Sequence, residues 1–372
     1  MEQVLDYKVT ETLYENNEIH VFKAENVIDH KRVIIKAIKS PRPSLALLSA
    51  FRHEYLINHE LKLNTIVHCQ QLIDQPDAHL LIYDEDPGIP LKKFLHEGPI
   101  ELDIFFPVAL GIITCISDLH AHKIIHKDIK PDNILILIDP ETLVIKLLDL
   151  SLASQLFVEN PKLVPLNKIE GSLPYMAPEQ TGRMNRSIDY RSDYYALGIT
   201  FYEMLTGALP FVSDDPLEYV HFHLAIDAKP AADVNPSIPE MLSKLIAKLM
   251  SKEAYDRYQS SAGLIADMDK CFEEWKKYHD IPEFQLGEHE VLDNLTMSSK
   301  IYGRDKEVEI LLASFDRVKQ GARECLMIFG YSGIGKTTLV QEIQKPIIAQ
   351  HGYYINGKFD QLQRTIVFNF NS

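Results

Sequence analysis

A chain of 372 residues is long enough for one large domain, or one domain and part of another, and its 46% hydrophobic and 24% charged composition is that of a globular protein. A formal net charge of −15 argues against a general nucleic-acid-binding surface, which needs a basic face. Four cysteines without paired spacing (Cys69, Cys115, Cys271, Cys325), a start with no basic-then-apolar signal, and apolar runs shorter than the roughly 18 residues of a membrane span make a cytoplasmic protein with no membrane span the expectation.

In chain order, HVFKAENV and KRVIIKAIK are β-branched runs separated by IDH, which predicts a hairpin. SLALLSAFRHEYLINHELKL shifts to helical spacing, with Leu48, Phe51, Tyr55 and Leu56 among its apolar positions. HLLIYDED reads as another strand, closed by the PG at 87–88. From PLKKFL onward helices dominate: DIFFPVALGIITCISDLHAH, SDYYALGITFYEMLTG, PEMLSKLIAKLM and LIADMDKCFEEWKKYH. A polar stretch at about 280–298 is read as a linker. IYGRDKEVEILLASFDRVKQ then looks helical, LMIF predicts a strand, and LVQEIQK predicts a helix.

Residues 124–138, IIHKDIKPDNILILI, set a polar insert between two apolar strand-forming runs. A buried charge without a partner is costly, so a plain core strand would not carry this insert. Apolar flanks can anchor a polar loop and keep its groups fixed relative to one another. HKDIKPDN resembles the catalytic loop of protein kinases, H-R-D-x-K-x-x-N. By that resemblance Asp128 accepts or orients the proton of a substrate hydroxyl, Lys130 sits near the transferred phosphate, and Asn133 holds a magnesium ion.

A polar turn between core strands would explain the octapeptide taken alone, but the rest of the kinase series follows in order. VIIK at 33–36 supplies Lys36 for the nucleotide phosphates, with Glu54 in the next helix as its ion-pair partner. KLLDLSLAS at 146–154 resembles the D-F-G region and makes Asp149 a magnesium ligand. MAPE at 176–179, SDYYALG at 192–198 and AYDRY at 254–258 supply Glu179, an Asp193 that braces the loop, and an Arg257 that pairs with Glu179. Val21 and Leu135 are implied as roof and floor for adenine, with Asp84 also assigned to the nucleotide site. The stretch from GSLPYMAPEQ to MLTGALPF is similar to the kinase domain of large proteins that join a Ser/Thr kinase, a P-loop ATPase and a sensor histidine kinase. Lys130 and Ser172 fit Ser/Thr specificity.

The chain departs from the pattern at four places. LYENNEIHVF at 13–22 lacks the glycines that cover the phosphates, and its Glu15 and Glu18 place negative charge near a negative ligand. Ile34 replaces a small alanine, Lys127 an arginine, and Leu150-Ser151 the pair Phe-Gly.

GYSGIGKTT at 330–338 fits the phosphate loop G-x-x-x-x-G-K-[ST]. Gly330, Gly333 and Gly335 shape the cradle, Lys336 reaches the outer phosphates, and Thr337 with Thr338 opens the helix, Thr337 also binding magnesium. No apolar strand ending in a second metal-binding aspartate follows, so this segment reads as the stub of an ATPase without independent hydrolysis.

The expected fold is α+β. A two-lobed protein kinase occupies 1–279 (small lobe about 1–88, large lobe about 89–279), followed by a linker at 280–298 and a partial α/β P-loop NTPase segment at 299–372. The expected function is ATP- and Mg2+-dependent phosphorylation of protein Ser/Thr residues, with no nucleic-acid partner. A nucleotide-binding pseudokinase serving as a regulatory or scaffold module is the competing reading.

Overall fold

A computed structural model describes residues 3–40, 42–76, 78–86, 88–139, 142–155, 158–159, 171–183, 187–290, 304–329, 336–341, 354–358 and 367–371. Its first lobe contains β1 (Gln3–Val4), β2 (Tyr7–Glu15), β3 (Ile19–Asn26), β4 (Arg32–Ile38), α1 (Leu45–Glu60), β5 (Cys69–Gln75) and β6 (Ala78–Asp84). The strands form one antiparallel sheet in the order β1-β2-β3-β4-β6-β5. The predicted hairpin is β3–β4.

Alternation along β4 divides the lobe into two small cores. Val33, Ile35 and Ala37 pack with Phe22, Ala24, Leu80 and Ile82 on one face. Ile38 packs with Phe51, Cys69 and Leu81 on the other, where α1 lies. Lys36 shares that second face, opposite Val21 on β3 and Leu81 on β6. Because side chains alternate, a one-residue slip of register would turn Lys36 away from α1.

The second lobe adds β7 (Ile89–Pro90), α2 (Leu91–Leu95), α3 (Leu102–Ala121), β8 (Ile134–Asp139), β9 (Thr142–Leu147), β10 (Val158–Glu159), β11 (Ile188–Asp189), α4 (Arg191–Thr206), α5 (Pro216–Ala225), α6 (Ala231–Val234), α7 (Glu240–Leu249) and α8 (Ser261–Tyr278). Strands β7-β8-β9 form a three-stranded sheet and β10 pairs with β11. α3 and α4 are its central helices, and Gly198 lets α4 approach α7, since a Cβ there would stand 2.8 Å from Leu249. At mean hydropathy 1.8 over an 18-residue window, the 20-residue α3 is long and apolar enough to cross a membrane. Counting uninterrupted apolar runs missed this, because Asp103, Pro107 and Asp118 punctuate the helix. Here Phe105, Ala109, Ile112, Ile116 and Leu119 sit in the lobe core, and Asp103 accepts a hydrogen bond from Trp275 Nε1.

Two expectations need correction. Residues 281–290, read as linker, dock on the second lobe: Ile281 is buried, Phe284 and Leu286 pack on the core, and Glu290 accepts from Gln259 N and Ser260 Oγ. The polar composition concealed three apolar anchors. LMIF, read as a strand, is irregular, with Met327 and Phe329 exposed. An apolar run becomes a central strand only with neighbours to pair with, and among the described residues it has none. α9 (Asp305–Lys319) precedes it, and α10 (Lys336–Gln341) and the hairpin β12 (Tyr354–Lys358)–β13 (Val367–Asn371) follow it.

Candidate active site

Lys36 reaches from β4 to two carboxylates contributed by distant parts of the chain. Its Nζ donates to Glu54 Oε2 at 2.8 Å and to Asp149 Oδ1 at 3.0 Å. Burial opposes a charge on Lys36, but the two carboxylates outweigh it and hold the ammonium pKa above its ordinary value. Burial likewise opposes charge on Asp149, yet Lys36 and Ser151 hold that carboxyl far below the usual carboxylate range. The site therefore keeps a fixed cation beside a fixed anion. Asp149 adopts φ 59°, a left-handed conformation uncommon for a non-glycine residue, which directs its side chain back toward Lys36.

The polar insert forms a second cluster. Asp128 Oδ2 accepts from Lys130 Nζ at 2.6 Å and from Asn133 Nδ2 at 3.0 Å, while Asp128 Oδ1 accepts from the Ser172 amide at 3.1 Å. Lys130 Nζ also donates to Ser172 Oγ at 2.6 Å. The apolar flanks hold this loop: Ile125 pairs with Ser154, Ile129 is fully buried, and Ile134 and Ile136 enter β8. From below, Asp193 accepts from the amides of His126 (2.9 Å) and Lys127 (2.8 Å) and from His120 Nε2 (2.8 Å). Burial opposes its charge, but His120 and these bonds keep the Asp193 pKa lowered. The expected pairing of Glu179 with Arg257 is present, at 2.6 and 2.9 Å.

Around the cleft, Val21 lies directly across the β3–β4 pairing from Lys36, and Leu135 is buried on β8. Gly88, where the lobes join, presses on that floor: a Cβ there would stand 2.5 Å from Leu135 Cγ and 2.6 Å from Leu137 Cδ1. The Asp84 side chain is not directed to this group. It is held by Gln70 Nε2, by His68 at 3.4 Å and by Lys31 at 3.6 Å. Ile34 lies across the β4–β6 pairing from Tyr83.

The glycine-free turn differs from its expectation. Glu15 does not present an unopposed charge: Lys39 Nζ donates to its Oε1 at 2.7 Å and to Asn16 O at 3.0 Å, and this bond lowers the Glu15 pKa. Asn16 Oδ1 accepts the amides of Glu18 (2.8 Å) and Ile19 (2.7 Å). Amides that a glycine-rich turn offers to phosphates are here bonded within the turn itself.

Two participants had no signal in the sequence. Tyr83 donates its hydroxyl to Glu54 Oε1 at 2.6 Å, and Gln180 Nε2 donates to Lys127 O at 2.9 Å. Both bonds join residues far apart in sequence, so although Tyr83 lies in HLLIYDED and Gln180 follows MAPE, neither stretch shows which partner the side chain takes.

Comparison with known proteins agrees with this geometry. Residues 7–267 match the protein kinase domain. The chain belongs to the protein kinase family. This kinase domain is 28% identical over 269 residues to the serine/threonine-protein kinase PrkC of Bacillus subtilis, covering 72% of the chain and 40% of that protein. It is 35% identical over 211 residues to hybrid signal transduction histidine kinase G of Dictyostelium discoideum, covering 51% of the chain and 6% of that protein. Against PknB of Mycobacterium tuberculosis the identity is 30% over 182 residues, covering 49% of the chain and 28% of that protein. The chain thus spans well under half the length of these relatives.

C-terminal to the kinase domain, residues 300–370 match the AAA ATPase domain. Lys336 begins α10, as a phosphate-loop lysine at a helix start should. Gly330, Gly333 and Gly335 lie outside the described residues, as do the side chains of Thr337 and Thr338.

Proposed function

We propose that this kinase domain transfers the γ-phosphoryl group of ATP to serine and threonine hydroxyls of proteins. The observation that carries the reading is the assembly of Asp128, Lys130, Asn133 and Ser172 into one hydrogen-bonded cluster, with Lys36, Glu54 and Asp149 joined in a second. Asn133 and Asp149 are linked through the backbone bond from Leu148 N to Asn133 O, 2.9 Å.

The donor set fits magnesium. Asn133 spends its amide nitrogen on Asp128, which leaves its carbonyl oxygen as the end for a hard cation. Asp149 is held anionic and engages Lys36 and Ser151 through Oδ1, leaving Oδ2 as the second oxygen donor. Among the described residues no group of three or more His, Cys, Asp or Glu could hold a metal, which suits an ion whose shell is completed by phosphate oxygens. When bound, magnesium supplies charge neutralisation between the phosphates.

Within the protein, Asp128 orients the acceptor hydroxyl and takes its proton as the acceptor oxygen bonds to the γ-phosphorus. The bond from that phosphorus to the leaving oxygen of ADP breaks in the same displacement. Lys130 carries positive charge toward the phosphoryl oxygens, and Lys36 holds the phosphates of the nucleotide.

Incubation with γ-labelled MgATP and a generic protein acceptor tests the proposal. Label should appear on serine and threonine, and Asp128→Asn should lower incorporation by about 10²-fold or more, the usual scale for losing a positioned base. Nucleotide binding without transfer in the unaltered chain would replace this reading with that of a pseudokinase scaffold.

A further inference from the structure

Helix α1 meets the sheet through Phe51, with the half-buried Leu47, Leu48 and Tyr55 packed beside it. Its buried residues are Phe51, Glu54, Ile57 and Asn58, while Leu45 and Leu56 are exposed. Two of those four are polar, so hydrogen bonds add to the apolar contact in seating α1. Asn58 accepts from Cys69 N at 2.6 Å and donates to Val67 O at 2.8 Å, and His53 Nε2 lies 2.7 Å from Ala153 O.

Glu54 sits at the centre of that seat and is 1% exposed. Both of its oxygens are engaged from adjacent strands, Oε2 by Lys36 of β4 at 2.8 Å and Oε1 by the Tyr83 hydroxyl of β6 at 2.6 Å. A carboxylate held by one donor can turn about its last bond; held by two, it has a single orientation. Burial and the neighbouring Glu54 keep the Tyr83 phenol pKa well above its ordinary value, so the hydroxyl remains a donor.

We propose that Tyr83 is a positioning residue for phosphoryl transfer: by fixing Oε1 of Glu54 it keeps Oε2 on Lys36 and α1 against the sheet. This rests on the kinase function proposed above. Removing the hydroxyl leaves a buried carboxylate oxygen without a donor, and α1 relieves that by moving Glu54 outward, taking with it the brace on Lys36.

Tyr83→Phe keeps the ring and removes only the oxygen. With the full chain, kcat should fall about tenfold while KM for ATP stays within about twofold, because the brace is needed to align phosphates more than to bind them. Hydrogen exchange of the α1 amides should accelerate by a similar factor, with the melting temperature lowered by less than about 3 °C. In a Glu54→Ala background the hydroxyl has nothing to hold, so adding Tyr83→Phe should change neither rate nor exchange further. Tyr83→Met, which also lacks the hydroxyl, must behave like Tyr83→Phe, separating the bond from ring packing. Wild-type turnover and exchange in Tyr83→Phe, or an equal loss in both Glu54 backgrounds, would overturn the proposal. If the unaltered chain transfers no phosphate, the kinase reading alone fails. The exchange measurement still decides the clasp, and unchanged α1 exchange in Tyr83→Phe refutes it.

Discussion

Arg257 is 1% exposed and every arm of its guanidinium is engaged: Nη1 with Glu179 and Arg191 O, Nη2 with Glu179 and Lys252 O, and Nε with Ser251 O. Arg257→Ala leaves Glu179 as an uncompensated buried charge, which should cost about 3–5 kcal/mol in chemical denaturation. Lysine cannot replace the fork, so Arg257→Lys should recover only part of that loss. His223 gives a pH signature of its own. Its Nδ1 meets Tyr195 Oη at 2.9 Å, its Nε2 meets Leu173 O at 2.8 Å, and burial pushes its pKa down to about 4. Between pH 6.5 and 4 the unfolded chain binds this proton and the folded chain does not, so stability falls as pH falls through that window. From this residue the loss totals about 3 kcal/mol by pH 4, and it should be absent from the pH–stability curve of a folded His223→Gln variant.

At the scale of elements, the segment 281–290 completes α8. Ser260 caps the helix by accepting from Gly263 N at 3.1 Å, and Glu290 in turn accepts from Ser260 Oγ at 2.9 Å. Asp267 on α8 accepts from Gly287 N at 2.8 Å and from Tyr258 Oη at 2.7 Å. A fragment ending at residue 290 should therefore melt higher than one ending at 280, by several degrees. The lost burial of Ile281, Phe284 and Leu286 alone is on the order of 2–4 kcal/mol. Equal melting of the two fragments would show that these contacts contribute nothing. The turn between β2 and β3 is the second element with a consequence. Its amides are committed to Asn16, so phosphates must rely on Lys36 and the metal ligands, and nucleotide binding should be weak and strongly magnesium-dependent. Replacing Glu15 and Glu18 with glycine should tighten MgATP binding by up to about tenfold in calorimetry. Lys39 already offsets Glu15, so Glu18→Gly alone should recover most of that gain.

For the whole molecule, both nucleotide motifs lie on one chain, but the catalytic clusters draw every described member from residues 36 to 172. Lys336→Ala should accordingly leave phosphoryl transfer within about twofold, as expected for independent sites. A tenfold loss in that variant would show that the ATPase-like segment regulates the kinase domain.

Much of this was legible in the residues themselves. The β3–β4 hairpin, the helix of Glu54 and the anchored loop around Asp128 follow from local patterns, since alternation, helical spacing and apolar flanks act over a few positions. The order of VIIK, HKDIKPDN, KLLDLS and MAPE carried the fold as well, through its resemblance to the protein kinase series. What the residues could not disclose depends on partners far away in the chain. Lys39 offsetting Glu15, Tyr83 holding the second oxygen of Glu54, and Glu290 closing on Ser260 are single hydrogen bonds across 24, 29 and 30 residues. The Asp84 side chain is engaged by Gln70 and His68 of the adjoining strand region and by Lys31, partners that its place in HLLIYDED does not reveal. LMIF failed as a strand for the same reason that α3 remained inside a lobe despite its hydropathy. Sequence sets how apolar a segment is, whereas only the surrounding structure decides what that segment packs against.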